Sequence, residues 1–226
     1  IVLPQLLMNN QILELKSHTK FLGVFLDCKL TFKQHIASIR PKIAKSIGIL
    51  CKARRKLPSG VLRDLYHTFL LPYFTYGIEV WGASCSSYID PLIRLQKKAI
   101  RIVSNAPFRA HTHDLFLNLR ILPLIQIYIK QVILFVYKLL NSMFPSSVFE
   151  GIFITSDNQF STRSMASNLL TVPFVRINSV KRSIRSRGVH LWNVLQTDLN
   201  LATCTSIFML KKRIHSCLLN STVTIL

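Results

Sequence analysis

Side chains able to do chemistry are sparse in this sequence, and their spacing argues for binding rather than catalysis. The nine carboxylates are Glu14, Asp27, Asp64, Glu79, Asp90, Asp114, Glu150, Asp157 and Asp198. None falls in a DxD, DD or ExxH pair, the spacing that would offer a two-metal centre. His111-Thr112-His113-Asp114 comes nearest to a ligand cluster. A zinc site needs three or four converging ligands, and no further partner stands nearby, so a polar loop and helix cap accounts for the run. Cys204, His215 and Cys217 lack knuckle spacing, and no P-loop, GxGxxG or Ser/His/Asp arrangement is present. The sequence therefore predicts no catalytic residue and no metal ligand in this chain.

The cations are patterned. In the stretch 90–103, "DPLIRLQKKAIRIV", a helix would place Leu92, Leu95, Ala99, Ile102 and Val103 on one side. Arg94, Lys97, Lys98 and Arg101 would fall on the other, where like charges three and four apart repel. Asp90 suits an N-cap and Pro91 a first helical residue. Lys42, Lys45 and Lys52 repeat the pattern opposite Ile36, Ile39, Ile43, Ile47 and Leu50, and Arg54, Arg55 and Lys56 follow directly. A third face carries Lys211, Lys212 and Arg213 opposite Ile207, Phe208, Leu210, Ile214 and Leu218. The tail adds Arg163, Arg176, Lys181, Arg182, Arg185 and Arg187. Few acids are interleaved, so the chemistry these residues suggest is phosphate binding. Tyr66, Tyr73, Tyr76 and Trp81 lie near the first two faces; stacking on bases is conceivable chemistry for them, and core packing is the reading adopted.

The elements that must carry these residues are mostly helical. Residues 1–30 alternate in a way that suits antiparallel strands, with a turn at Met8-Asn9-Asn10-Gln11 and close backbone approach at Gly23. The helical period begins at about 32, and Pro41 either kinks that helix or restarts it. Ser59 can cap the next helix, with Leu62, Leu65, Tyr66, Phe69 and Leu70 inward. Pro72 opens an aromatic-rich piece that leans helical. Helices are then expected over 90–104, 113–119 and 123–141, a loop over 142–160, and a last helix at about 206–219. The segment 121–140 is long enough to span a bilayer, but Lys130 and Lys138 would each cost about 3 kcal/mol there, which favours a buried core helix.

Bulk composition agrees. The chain has 226 residues, half of them hydrophobic, enough for a sizeable core. Its 29 Lys and Arg against 9 Asp and Glu give a formal charge of +20, self-repulsion that a polyanionic partner would relieve. Five widely spaced cysteines without a CxxC pair suit a reducing compartment. The N-terminal "IVLPQLLMNN" does not read as a signal peptide, and the chain reads as a fragment of a longer protein.

"HTKFLGVFLDCKLTFKQHI", followed by "YHTFLLPYFTYGIEVWG" and "LIRLQKKAIRIV", resembles the C-terminal part of reverse transcriptases from non-LTR (LINE-type, jockey-like) retrotransposons. The later "STRSMASNLLTVPFVR" and "SVKRSIRSRGVHLWNVL" resemble the region that follows in such elements. There the tryptophan is typically followed by Asn-Ser-Leu-Pro; here the run is Trp192-Asn193-Val194-Leu195-Gln196. The resemblance implies RNA-directed DNA synthesis, with catalytic aspartates and their Mg in a palm preceding Ile1. No catalytic residue and no cofactor is carried over to this chain. It implies a mainly α fold: palm strands over 1–30, a thumb-like helical bundle over 31–105, and a helical, basic C-terminal extension over 106–226. The implied partners are an RNA template, a DNA primer or target, and the upstream palm and fingers of the same polyprotein, with no membrane. The implied location is the nucleus or cytoplasm as a ribonucleoprotein, not secretion. The expected nucleic-acid contacts are Lys42, Lys45, Lys52, Arg54, Arg55, Lys56, Arg94, Lys97, Lys98, Arg101, Lys181, Arg182 and Arg185. A stand-alone binding or interaction module from a decayed element is the alternative; a membrane-surface protein using 121–140 is a third.

Overall fold

Two hairpins lead into the helices, and one carboxylate organises the passage between them. In the computed structural model, which describes residues 7–9, 11–12, 16–145, 169–199, 201–204 and 206–220, β1 (Leu7–Met8) pairs antiparallel with β2 (Gln11–Ile12). β3 (His18–Phe21) pairs with β4 (Val24–Asp27), joining His18 to Asp27 and Phe21 to Val24. The connecting residues Leu22 and Gly23 have φ of 44° and 83°, as a tight hairpin turn requires. A Cβ on Gly23 would meet the Tyr76 ring at ordinary contact distance, and the Tyr76 hydroxyl donates to the Leu22 carbonyl. The neighbour at Gly23 is thus a side chain and not the backbone expected there; the positive φ of the turn is what calls for glycine. Asp27 then accepts from the Thr31 amide (3.0 Å), the Thr31 hydroxyl (2.9 Å) and the Phe32 amide (2.7 Å). Burial alone would push its pKa up; these bonds outweigh that and hold the carboxyl below its usual range.

The helices follow the apolar period. α1 (Lys33–Ala53) is continuous through Pro41, whose ring faces solvent, and it buries Ile36, Ile39, Ile43, Ile47 and Leu50. α2 (Ser59–Phe69) buries Leu62 and Tyr66. Ser59 is its first residue and not its cap; Pro58 holds the cap position without a side-chain bond. Phe69, expected inward, is 43% exposed, because α2 ends there and the chain turns into α3 (Leu71–Thr75) and α4 (Ile78–Trp81). Pro72 thus sits one residue inside a helix, as the helical reading of this stretch required.

α5 (Ser86–Val103) begins four residues before the expected start, which places Asp90 and Pro91 inside the helix. α6 (His113–Leu119) and α7 (Leu124–Leu140) match the expected positions. α8 (Asn178–Lys181), α9 (Ile184–Leu199), a 3-10 turn at Leu201–Thr203 and α10 (Ile207–Asn220) complete the described chain. The expected loop over 142–160 lies within the described residues only at 142–145, and Arg163 lies outside them. Phe208, expected inward, is 73% exposed; Leu210, Ile214 and Leu218 alone make the buried stripe of α10.

One apolar cluster runs from Phe32 to Leu218, with α7 at its centre. Val132, Ile133 and Val136 of α7 are fully buried, as a core helix requires. No single described helix is long and apolar enough to cross a membrane; α6 and α7 pass that test only together, bent by 50°. Gly82 lets α7 approach α4, since a Cβ there would collide with the Tyr128 ring and the Ile78 carbonyl. All five cysteines are free thiols.

Candidate nucleic-acid interface

The basic helices α1 and α5 pack side by side, and three contacts fix their relative direction. Near their starts, Lys33 Nζ lies 6.0 Å from the centre of the Tyr88 ring. The His35 ring lies 5.6 Å from that of Trp81, tilted by 55°, just ahead of α5. At their ends, the Arg54 Nε–H donates to Asn105 Oδ1 at 2.7 Å. The two helices therefore run parallel, and their basic C-terminal turns meet. Lys52, Arg54, Arg55 and Lys56 come from one side; Lys97, Lys98 and Arg101 lie on the last two turns of the other. Cations at helix C-termini also favour the helices themselves, by roughly 0.3–1 kcal/mol each.

The polarity of each helix is as expected for most residues. Lys42, Lys45 and Lys52 are exposed on α1, with Lys33 and Arg40 as further exposed cations. Arg94, Lys97 and Lys98 are exposed on α5, and among the described residues none of the three makes a hydrogen bond or ion pair. Arg101 differs. It is half-buried, and its Nε–H donates to the Ala110 carbonyl at 2.9 Å, which ties the loop after α5 back onto the helix. Leu95, expected in the core, is only half-buried; Ile100 takes that place. Asp90 is exposed on the stripe itself, four residues before Arg94, and is the carboxylate that the cationic face carries.

A polar residue in the apolar stripe was not singled out from sequence, and it fixes the interface from beneath. Gln96 is fully buried. Its Nε2–H₂ donates to the Tyr66 hydroxyl (2.9 Å) and the Leu122 carbonyl (3.0 Å), and its Oε1 accepts from the Leu124 amide (2.8 Å). One carboxamide thus joins α5 to α2 and to the start of α7, and both Gln96 polar groups are satisfied. Burial raises the Tyr66 pKa, so its hydroxyl stays neutral. The signal was present: Gln96 sits between Leu92 and Ile100 at helical spacing, where only an apolar or paired side chain can lie.

The aromatics are structural. Tyr66 and Trp81 are buried, and the Trp81 indole donates to the Tyr76 carbonyl at 2.9 Å. Tyr73 is half-buried, and the exposed Tyr76 holds the β3–β4 turn. The second basic group borders the N-terminal half of α5 across a shared cavity. Lys181, Arg182 and Arg185 are exposed around α8 and the start of α9. Lys181, Arg182 and Arg187 line a cavity of about 440 Å³ with Trp81, Asp90 and Tyr128. Asn193 pins the segment before α8: its Oδ1 accepts from the Leu170 amide (2.9 Å) and its Nδ2 donates to the Leu170 carbonyl (2.8 Å). The third basic group, Lys211, Lys212 and Arg213, is exposed on α10, with Arg213 donating to the Leu199 carbonyl at 3.1 Å. Among the described residues no group of three His, Cys, Asp or Glu converges to hold a metal; His111 and Thr112 lead into α6, and His113 and Asp114 lie in its first turn.

Comparison with known proteins bears out the resemblance read from the motifs. Over 122 residues the chain is 33% identical to an RNA-directed DNA polymerase from the mobile element jockey of Drosophila melanogaster, covering 52% of this chain and 13% of that protein. Over 165 residues it is 30% identical to the jockey polymerase of Drosophila funebris, covering 71% of this chain and 18% of the relative. Over 106 residues it is 32% identical to a protein described as a probable RNA-directed DNA polymerase from the transposon X-element of Drosophila melanogaster, covering 45% and 12%. The chain therefore spans less than a fifth of the length of each of these relatives. No family model matches it. No solved structure matches it.

Proposed function

We propose that this chain is the nucleic-acid-holding portion of a retrotransposon RNA-directed DNA polymerase, with the chemistry supplied by the rest of the polypeptide. The observation that carries this reading is the parallel α1–α5 pair, apolar where the helices meet and cationic outside. A polymerase must hold its duplex without reading it, and Lys and Arg contacts to phosphate position a duplex without specifying sequence. In this reading residues 31–105 act as a thumb, residues 1–30 belong to the palm, and 106–226 form an extension that braces the thumb through α7. Arg94, Lys97 and Lys98 face the backbone, with Lys42, Lys45, Lys52, Arg54, Arg55 and Lys56 beside them. Lys181, Arg182 and Arg185 form a separate contact. The template is RNA, the primer or target is DNA, and Mg is bound at carboxylates outside this chain. The complex works as a ribonucleoprotein in the nucleus or cytoplasm.

The test is duplex binding across salt. With four to eight phosphates neutralised, the log–log slope should be about −4 to −7. The triple change Arg94→Gln, Lys97→Gln, Lys98→Gln should reduce its magnitude by about 3, equally for unrelated sequences. An unchanged slope rules this face out.

A further inference from the structure

A different basic cluster lines a pocket, with Lys130 and His215 half-buried and His67 and Arg120 exposed. Around α7, four elements bring His67 (α2), Arg120 (just after α6), Lys130 (α7) and His215 (α10) to one pocket of about 190 Å³. That is below the roughly 300–1,000 Å³ of organic-ligand sites, and suited to a small ion. Gln131 and Thr75 complete its polar lining, over a floor of Leu71, Ile121, Leu122 and Ile127.

Lys130 is half-buried here, and its Nζ lies 3.4 Å from His215 Nδ1. An ammonium can only donate, so with Lys130 charged this contact requires the ring nitrogen to accept, which is the neutral His215 tautomer with its proton on Nε2. The Arg120 backbone bonds the ring as well. Protonating His215 would set two donors against each other. The charged groups facing this pair are Lys211 on α10 and His67 on α2, with Arg120 in the pocket lining; Arg63 and Asp64 on α2 act on His67. Among the described residues no carboxylate offsets Lys130 or His215. Burial, then Lys211, pulls the Lys130 pKa down; burial, then Lys130, pulls down that of His215. A cation taken out of water ordinarily has an anionic partner.

We propose that this pocket is an oxyanion site, taking one phosphate or sulfate group, either free or carried on a nucleic-acid backbone. Lys130 and Arg120 supply permanent charge, and His67 and His215 gain protons as the anion enters. The site is independent of the α1–α5 reading and stands if that reading falls.

The experiment follows the histidine ring resonances of the full 226-residue chain by NMR across pH, with sulfate against chloride at matched ionic strength. Sulfate keeps its charge over this range, so only the protein titrates. The expected result is a saturable upward movement of the His67 and His215 midpoints, with His111 and His190 unmoved. Sulfate affinity should rise about tenfold for each unit of combined midpoint shift as pH falls. Lys130→Met, close in volume and without charge, should abolish the shift, while Arg94→Gln/Lys97→Gln/Lys98→Gln should keep it. A short oligonucleotide producing the same pair of shifts identifies the backbone as the source; response to inorganic phosphate and sulfate alone identifies a free anion. Equal movement of all the histidines, or none in the wild-type protein, overturns the proposal.

Discussion

The α1–α5 pair and the surroundings of α7 handle the same residue type in opposite ways. On α1 and α5 the lysines and arginines other than the half-buried Arg101 stay in solvent, and the packed sides are apolar apart from His35 and Ser46 on α1 and the fully paired Gln96 on α5. Around α7 a half-buried lysine stands against His215, with the exposed His67 lining the same pocket. An exposed cation costs the fold little and is screened by salt. A half-buried one is screened less, and it makes stability depend on pH and on anions. The first arrangement suits a surface that slides along a polyanion; the second suits a site that holds one charge.

The comparison breaks most directly at Gln96. Gln96→Leu leaves the Leu124 amide, the Leu122 carbonyl and the Tyr66 hydroxyl unpaired in the core. At about 1–3 kcal/mol for each unsatisfied group, partly relieved by relaxation, the loss should be about 3–5 kcal/mol by urea denaturation. A loss under 1 kcal/mol would mean that the seam does not depend on this bridge.

A pH scan probes the second region next. His35 is buried on Trp81, and burial, then Lys42, lowers its pKa. Burial lowers those of His67 and His215 too. Each binds fewer protons folded than unfolded. Their contribution is therefore fully present above the ordinary imidazole value of about 6.5 and is lost as pH falls below it. Thermal midpoints should drop between about pH 6.5 and 5. His35→Gln should flatten part of that drop in any buffer, whereas sulfate should restore only the part due to His67 and His215.

The smallest effect belongs to the exposed stripe. The Arg94/Lys97/Lys98 triple change should alter stability by no more than about 0.5 kcal/mol in either direction, while changing duplex binding as described above. A large stability loss would show these side chains to be structural, and the contrast between the two regions would dissolve.

Much of this was legible in the order of residues. The apolar period located α1, α2, α5, α6, α7 and α10. The errors fell at element ends and on flanks. Asp90-Pro91 has the chemistry of a helix start, yet α5 begins at Ser86 because Ile89 also finds a place in the core. Phe69 and Phe208 have inward chemistry but no neighbouring helix covers them. Arg101 has the spacing of its stripe, yet the loop carbonyl of Ala110 claims it.

The sequence alone determined that the chain is helical, cationic and lacking paired carboxylates, because periodicity, net charge and spacing are local properties. Tertiary structure alone decided that α1 and α5 run parallel with their basic ends together, that Gln96 bridges three helices, and that Lys130 meets His215. Those pairings join residues between 26 and 85 positions apart. Only packing chooses which of many chemically similar partners comes within reach.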